Sequence, residues 1–534
     1  MTRSIEVYDT TLRDGTQGEG VNLSLEDKLY LTRILDDLGV DFIEGGWPGS
    51  NPKDEAYFRQ VQEMALRHAR IAAFGSTRRA KLAAADDPNL QKLVASQAGV
   101  CTIFGKTWDL HVTEALRISL DDNLAMIADS VAYLRAETGR PVFYDAEHFF
   151  DGWKANPSFA LDTLQAAHEA GAERLILCDT NGGSLPSDIE AGIDALRQRL
   201  GDVALGIHVH NDGGLAVANT LVALQVGAVQ VQGTINGVGE RCGNVDLCAV
   251  LANCELKLAY SCLPPGRLQD LTQVSRSVWE RINQVGPINQ PYVGKAAFAH
   301  KGGIHVSAVQ RNALTYEHVQ PESVGNTRRV LISELSGRSN VQAKLSNRYP
   351  ELKDATLMAK VLDDVQTKEN DGYSYEAAEA SFDLMVRRHV NKYRPLFDLH
   401  YYRVHGLGTD QSEQAPHLVE AICKLTVRNP GGNGDGDLRL FVAEGHGPVD
   451  ALAHALMQAL TPAYPQLEDI HLIDYKVRVV NSADGTAAKV RVLIEHRFRS
   501  TSERFSTIGV SENIIEASWN ALVEAATFTV LSRE

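Results

Sequence analysis

The stretch Ile5-Glu6-Val7-Tyr8-Asp9-Thr10-Thr11-Leu12, running on into Arg13-Asp14-Gly15, opens the chain as a β-strand followed by a turn. Two parallel α/β designs begin this way. The open doubly wound sheet places a G-x-G-x-x-G fingerprint after its first strand, because the backbone there must approach a pyrophosphate closely. The turn here reads Thr10-Thr11-Leu12-Arg13-Asp14-Gly15, without that spacing. A closed parallel barrel asks instead for eight repeats of strand then helix. Working outward from Ile5–Leu12, apolar runs that read as strands follow at Phe42–Trp47, Arg70–Gly75, Val100–Gly105, Val142–Glu147, Arg174–Cys178, Ala204–His210 and Val229–Thr234. Helical patterns separate them, at Ser24–Leu38, Lys53–Leu66, Leu120–Thr138, Ser158–Ala170, Ser187–Leu200, Leu215–Gln225 and Asn244–Leu258. Ser24 is a good N-cap with Asp27 three residues on, and Gly39 is a stop signal. Eight strand-to-helix units predict an α/β fold, a (β/α)8 TIM barrel over residues 1–268.

From about Gln269 to Tyr402 the pattern becomes helical and polar, with a turn-rich run at Val285–Pro291. Residues 269–402 are therefore expected to form helical linker subdomains. The strand-like run Ala421–Val427 leads into Pro430-Gly431-Gly432-Asn433-Gly434-Asp435-Gly436-Asp437, which reads as an exposed hairpin connection. A weak repeat follows. Val449-Asp450-Ala451 resembles Ile515-Glu516-Ala517, and Ala455-Leu456 matches Ala521-Leu522 at the same offset. Strand-like runs precede each copy, so residues 403–534 are expected to be a small α+β domain.

Composition sets the outer limits. The 534 residues are 44% hydrophobic and 22% charged, values of a folded globular chain rather than a disordered one. A formal net charge of −16 argues against a general nucleic-acid partner, itself a polyanion. Nothing approaches the ~20 apolar residues of a membrane helix, and Met1–Asp9 lacks the apolar core of a signal peptide. Seven cysteines without a C-x-x-C pair read as reduced cytoplasmic thiols.

Chemistry concentrates at the ends of the expected strands. Gly206-Ile207-His208-Val209-His210-Asn211-Asp212 closes the seventh. Alternate strand residues share a face, so His208 and His210 point together, and in a barrel that face is the interior. Such a pair suits a divalent metal, or is a pair of hydrogen-bonded core histidines. Asp14 follows the first strand, which in a closed barrel borders the eighth and lies near the seventh. Its carboxylate can thus reach the same point, leaving positions open for substrate and water. Asn244, in the glycine-rich loop Gly237–Asn244 after the eighth strand, could add an amide oxygen. That loop could equally be a structural turn and anion nest.

Three motifs occur in order: Asp9-Thr10-Thr11-Leu12-Arg13-Asp14-Gly15-Thr16-Gln17, His208-x-His210-Asn211-Asp212 and Asn236-Gly237-Val238-Gly239-Glu240-Arg241-x-Gly243-Asn244. Together they resemble the family of 2-isopropylmalate, homocitrate and citramalate synthases, over nearly the whole chain. Gly45-Gly46-Trp47-Pro48-Gly49-Ser50-Asn51-Pro52-Lys53 and Asp474-Tyr475-Lys476-Val477-Arg478-Val479 look most like the citramalate synthases within it. The resemblance implies a Claisen-type condensation of acetyl-CoA with a small 2-keto acid (pyruvate for this branch, on the way to isoleucine), followed by thioester hydrolysis. It implies a divalent metal (Mn, Mg, Zn or Co) on Asp14, His208, His210 and Asn244, with Arg13 forking onto the substrate oxygens. Thr180 would bind the keto-acid carboxylate, although its hydroxyl could simply cap a helix. Glu147 matches the family's active-site glutamate, although Asp145-Ala146-Glu147-His148 could be a solvated loop. His305, in His300-Lys301-Gly302-Gly303-Ile304-His305, matches the proposed catalytic histidine, and Tyr316 the tyrosine that helps activate water. Read without the resemblance, the two histidines flank a glycine turn on the surface.

The resemblance further implies a cytoplasmic homodimer in which the His305 segment is donated to the neighbouring barrel. The C-terminal region would be a regulatory domain of the dimerising, allosteric type, with isoleucine as effector and contacts in the Gly445–Pro448 and Ser506–Ser511 loops. Rival readings are a 2-isopropylmalate synthase using 2-oxoisovalerate, a homocitrate synthase, and a barrel lyase such as hydroxymethylglutaryl-CoA lyase. The last usually lacks the long extension after Gln269. A non-enzymatic regulator would be expected to miss a ligand or base, and Asp14, His208, His210, His305 and Tyr316 are all present.

Overall fold

The computed structural model describes residues 3–331, 348–406, 419–428, 435–481, 485 and 487–533. It divides into two compact units, Met1–Phe298 with His318–Arg328, and Ala299–Glu317 with Arg329–Glu534.

The first unit is the expected closed barrel of eight parallel strands: β1 (Glu6–Asp9), β2 (Phe42–Gly46), β3 (Arg70–Ser76), β4 (Val100–Lys106), β5 (Val142–Glu147), β6 (Arg174–Asp179), β7 (Leu205–Val209) and β8 (Gln230–Gly233). Strand β1 pairs with both β2 and β8, which closes the ring. Side chains alternate as period two demands. Val7, Ile43, Cys101, Leu175 and Ile207 face outward into the large core beneath the helices. Tyr8, Phe42, Ala72, Val100, Phe143, Ile176 and Cys178 form a separate buried cluster, the apolar plug of the barrel interior. Toward the carboxyl ends of the strands the inward positions turn polar, with Glu44, Thr102, Asp145, His208 and Gln232 all buried. A polar layer on an apolar plug is where this architecture places its chemistry.

Two local departures from the sequence pattern bear on the site. Strand β1 stops at Asp9 rather than Leu12, because the Asp9 carboxylate accepts from Thr11 N and Thr11 Oγ1, both at 2.9 Å, and turns the chain. A short helix not expected from the sequence, Phe149–Ala155, follows β5 directly from His148, whose φ is 56°. The remaining helices keep their expected places. In Leu25–Leu38 Ser24 and Asp27 form a reciprocal capping box, worth ~1 kcal/mol at such a terminus.

In the second unit, helices Ala355–Asn370 and Glu379–His389 share a small core around Tyr349 and Phe382. The segment Phe397–Gly406 is a strand, where the pattern read as helical to Tyr402. It pairs antiparallel with Val419–Arg428, which pairs with Asp435–Gly445, and helix Pro448–Leu460 covers the sheet. The same order repeats as Ile470–Val479, Val490–Phe498, Arg504–Ser511 and helix Ile514–Ser532. Of the expected glycine-rich connection, residues 430–434 lie outside the described residues. Among the described residues no helix is long and apolar enough to cross a membrane.

Candidate metal centre and active-site cavity

Asp14, His208 and His210 converge at the carboxyl end of the barrel. Each offers a ligand atom, the three atoms lie within 4.8 Å of one another, and no other such group occurs among the described residues. Asp14 Oδ2 is 3.2 Å from His208 Nε2 and 4.0 Å from His210 Nε2. All three side chains are buried. Burial alone would raise the Asp14 carboxyl, but the Arg13 charge and the two imidazoles hold it far below the usual carboxylate range. Burial pulls His208 down, and its hydrogen bond to Asp14 outweighs this and raises it. Burial and then the His208 charge push His210 down to about 4, so its ring is neutral and open to a Lewis acid.

The loop after β8 brings Asn244 to the same point. Its Nδ2 donates to Asp14 Oδ2 at 2.7 Å and lies 3.1 Å from His208 Nε2. Its Oδ1 and His210 Nδ1 are buried without a hydrogen-bond partner. Orphaned buried polar atoms are uncommon, and a bound cation would account for the Asn244 amide oxygen. Turning the amide over would present its oxygen to Asp14 and His208, the arrangement a cation between them would select. One carboxylate, two imidazoles and an amide oxygen therefore fit a divalent cation. Gly239 makes the approach possible: a Cβ there would lie 2.0 Å from Asn244 Oδ1.

Arg13 lies beside this centre. Its Nη1 meets Asp14 at 3.0 Å, its Nε meets Glu44 at 2.6 Å, and its guanidinium stands 3.7 Å from the Phe74 ring centroid. Those bonds use Nε and Nη1, which leaves Nη2 to meet a substrate oxygen. Glu44 is itself fixed by Tyr8 at 2.7 Å and by Thr10. Glu147 is the last residue of β5, not part of a loop, and forms an ion pair with Lys106 at the end of β4. Thr180 is not a helix cap, since the following helix starts at Pro186 with Leu185 before it. Its Oγ1 accepts from His148 N at 2.9 Å, so its hydroxyl proton remains to donate elsewhere.

Arg13, Asp14, Glu147, Thr180, His208 and His210 line one cavity of about 250 Å³, together with Trp47, Phe74 and Phe104. Phe74 and Phe104 stack at 5.5 Å and Trp47 closes on both edge-on at 5.9 Å. The Trp47 indole is fixed by a 2.6 Å bond to Asn89 Oδ1. The backbone before it is anchored by the buried Lys28–Asp54 pair at 2.5 Å, with Lys28 also donating to Gly45 O. Gly45 is needed there because a Cβ would stand 2.0 Å from the Tyr57 ring.

The last two predicted residues belong to the second unit. His305 lies on helix Gly303–Arg311 and stacks on the Tyr316 ring at 4.1 Å between centroids, while His300 Nε2 is 3.0 Å from Glu317. Sequence reasoning passed over Glu44, Lys106, Asp145 and Gln232. The available signal was polar residues at inward positions of otherwise apolar strands, as in Gln230-Val231-Gln232.

Comparison with known proteins places the chain in a lineage. The HMGL-like family matches residues 4–278, the homocitrate synthase post-HMGL domain-like family residues 292–371, and the LeuA allosteric (dimerisation) domain residues 376–530. The chain is 50% identical over 540 residues to an (R)-citramalate synthase of Synechocystis sp., covering 98% of this chain and 96% of that one. It is 48% identical to one from Geobacter sulfurreducens, over 99% of this chain and 98% of that one. Its likeness to a probable 2-isopropylmalate synthase of Methanopyrus kandleri is 30% over 98% of both chains. The domain order, the barrel and these likenesses agree: the chain belongs to the HMGL-like family, in the branch of the (R)-citramalate synthases.

Proposed function

We propose that the chain condenses acetyl-CoA with pyruvate and hydrolyses the thioester, releasing (R)-citramalate and free CoA. The observation that carries this is its near-full-length likeness to (R)-citramalate synthases, well above its likeness to a 2-isopropylmalate synthase. The cavity, about 250 Å³ and walled in part by three fixed aromatic rings, supports the smaller keto acid.

In this reading Asp14, His208, His210 and the turned Asn244 amide hold a divalent cation, which supplies Lewis-acid polarisation of the ketone. Mixed nitrogen and oxygen donors suit Mg²⁺, Mn²⁺, Co²⁺ or Zn²⁺. Arg13 directs Nη2 at the substrate oxygens, and its charge cannot be titrated away. Thr180 donates its hydroxyl proton to the keto-acid carboxylate. Glu147, held by Lys106, orients the thioester. The acetyl methyl is a weak acid and needs a positioned base, the role assigned to His305. The carbanion attacks the keto carbon of pyruvate, the carbonyl π pair moves onto oxygen, and that oxygen takes up the proton removed from the methyl. Water then adds to the thioester with Tyr316 assisting, its hydroxyl going to the acyl carbon and its other hydrogen to the departing CoA sulfur.

The proposal extends to a cytoplasmic homodimer in isoleucine biosynthesis, with isoleucine as effector. A cavity of about 550 Å³ in the second unit, lined by Val449, Asp450, Met457, Tyr475, His496 and Arg499, has room and charge for a branched-chain amino acid. The test is release of free thiol from acetyl-CoA with a panel of 2-keto acids. Pyruvate is expected to give the fastest release. Turnover with 2-oxoisovalerate and none with pyruvate would overturn the assignment.

A further inference from the structure

His208 is held from behind by Gln232, which Asp145 holds in turn. It pairs with Gln232 in the ladder between β7 and β8, and its Nδ1 lies 2.9 Å from Gln232 Oε1. Gln232 is fully buried, and the other end of its amide, Nε2, donates to Asp145 Oδ1 at 3.2 Å. Asp145 is likewise buried, on β5. With the amide nitrogen committed to the carboxylate, the amide oxygen faces the imidazole. An amide oxygen only accepts, so His208 Nδ1 carries the ring proton. A ring that ligates through Nε2 carries its one proton on Nδ1, so an acceptor at Nδ1 fits the ligating tautomer. Nε2 is the atom that faces Asp14, at 3.2 Å, on the side of the proposed cation. Two barrel strands thus fix one proton so that a lone pair points into the centre.

We infer that Gln232, oriented by Asp145, is a positioning residue that holds His208 in the one tautomer able to ligate a cation through Nε2. The inference rests on the metal centre proposed above and adds to it the group that sets its affinity. Partners behind a ligating histidine typically change metal affinity ~10–100-fold when removed. The alternation Gln230-Val231-Gln232 marks Gln232 as inward-facing, and its partners on β5 and β7 emerge only once the strands are in register.

The experiment titrates the full-length, metal-free chain with Mn²⁺ and reads free Mn²⁺ by electron paramagnetic resonance, without substrate. Gln232→Met removes the acceptor and keeps the volume. It is expected to weaken Mn²⁺ binding ~10–100-fold. Gln232→Glu keeps an acceptor toward His208 Nδ1 and is expected to stay within about threefold of wild type. Asp145→Asn, which frees the Gln232 amide to turn over, is expected to weaken binding in the same direction and stands in if Gln232→Met does not fold. Wild-type affinity in Gln232→Met, or equal losses in the Met and Glu variants, would overturn the inference and leave the metal centre standing. A wild-type chain that takes up no Mn²⁺ would overturn both.

Discussion

Asp14 touches Arg13 and faces both imidazoles, the position the proposed cation requires. Asp14→Ala is expected to fold and to lose turnover by more than ~100-fold, with Mn²⁺ uptake lost in parallel. Circular dichroism beside a thiol-release assay checks both halves, and near-normal activity in the folded variant would refute the role. Gly239→Ala drives a methyl into Asn244 and should lower cation affinity while leaving the strands intact. Trp47→Ala opens the aromatic wall, and the preference for pyruvate over 2-oxoisovalerate should fall ~10–200-fold, measured as the ratio of kcat/KM values. Asp14, His208 and His210 were legible in the sequence because strand alternation and barrel closure turn distant positions into neighbours. Glu44, Lys106 and Gln232 were not, since each is a single polar residue whose partner is known only once strands are in register.

At the scale of elements, the segment from β2 to Trp47 shows how a strand end is held. Lys28 and Asp54 are almost fully buried and meet at 2.5 Å, and Asp54 Oδ2 also accepts from Trp47 N at 3.0 Å. Removing one partner of such a pair strands the other charge. Lys28→Met is therefore expected to cost ~3–5 kcal/mol in a urea titration, and much of the loss should return in the Lys28→Met, Asp54→Leu double variant. The glycines beside Trp47 were visible as a motif, but their reason, the Tyr57 ring packed against Gly45, was not. Two of the three misread elements have local causes. Asp9 bends its own backbone through Thr11, which shortens β1. His148 takes a left-handed φ of 56° without being glycine, so nothing in the composition announces the helix after it. Periodicity located the eight strands because each must bury one face in the barrel and the other under helices, and it says nothing about such side-chain turns.

For the molecule as a whole, a buried imidazole in the second unit links stability to pH. Burial, and then the neighbouring His471, push His496 in the second unit down to about 4, against ~6.5 in an unfolded chain. The unfolded form therefore binds the extra proton first. Stability of this unit should fall as pH drops below about 6.5 and level off below about 4, by up to about 3 kcal/mol. Hydrogen exchange across helix Ile514–Ser532 at stepped pH checks this, and His496→Phe should flatten the profile. The barrel was legible from its repeated strand-to-helix units. In the second unit the repeat was legible and its first strand was not, because Phe397–Gly406 mixes exposed and half-buried positions without clean alternation. The central claim is that one cation is gripped by a carboxylate and two imidazoles carried on opposite ends of the barrel sequence. Anomalous scattering at the manganese edge, from crystals of the full chain grown with Mn²⁺, tests it most directly. The account predicts a single strong peak in contact with Asp14, His208 and His210, and a peak elsewhere, or none, would contradict it.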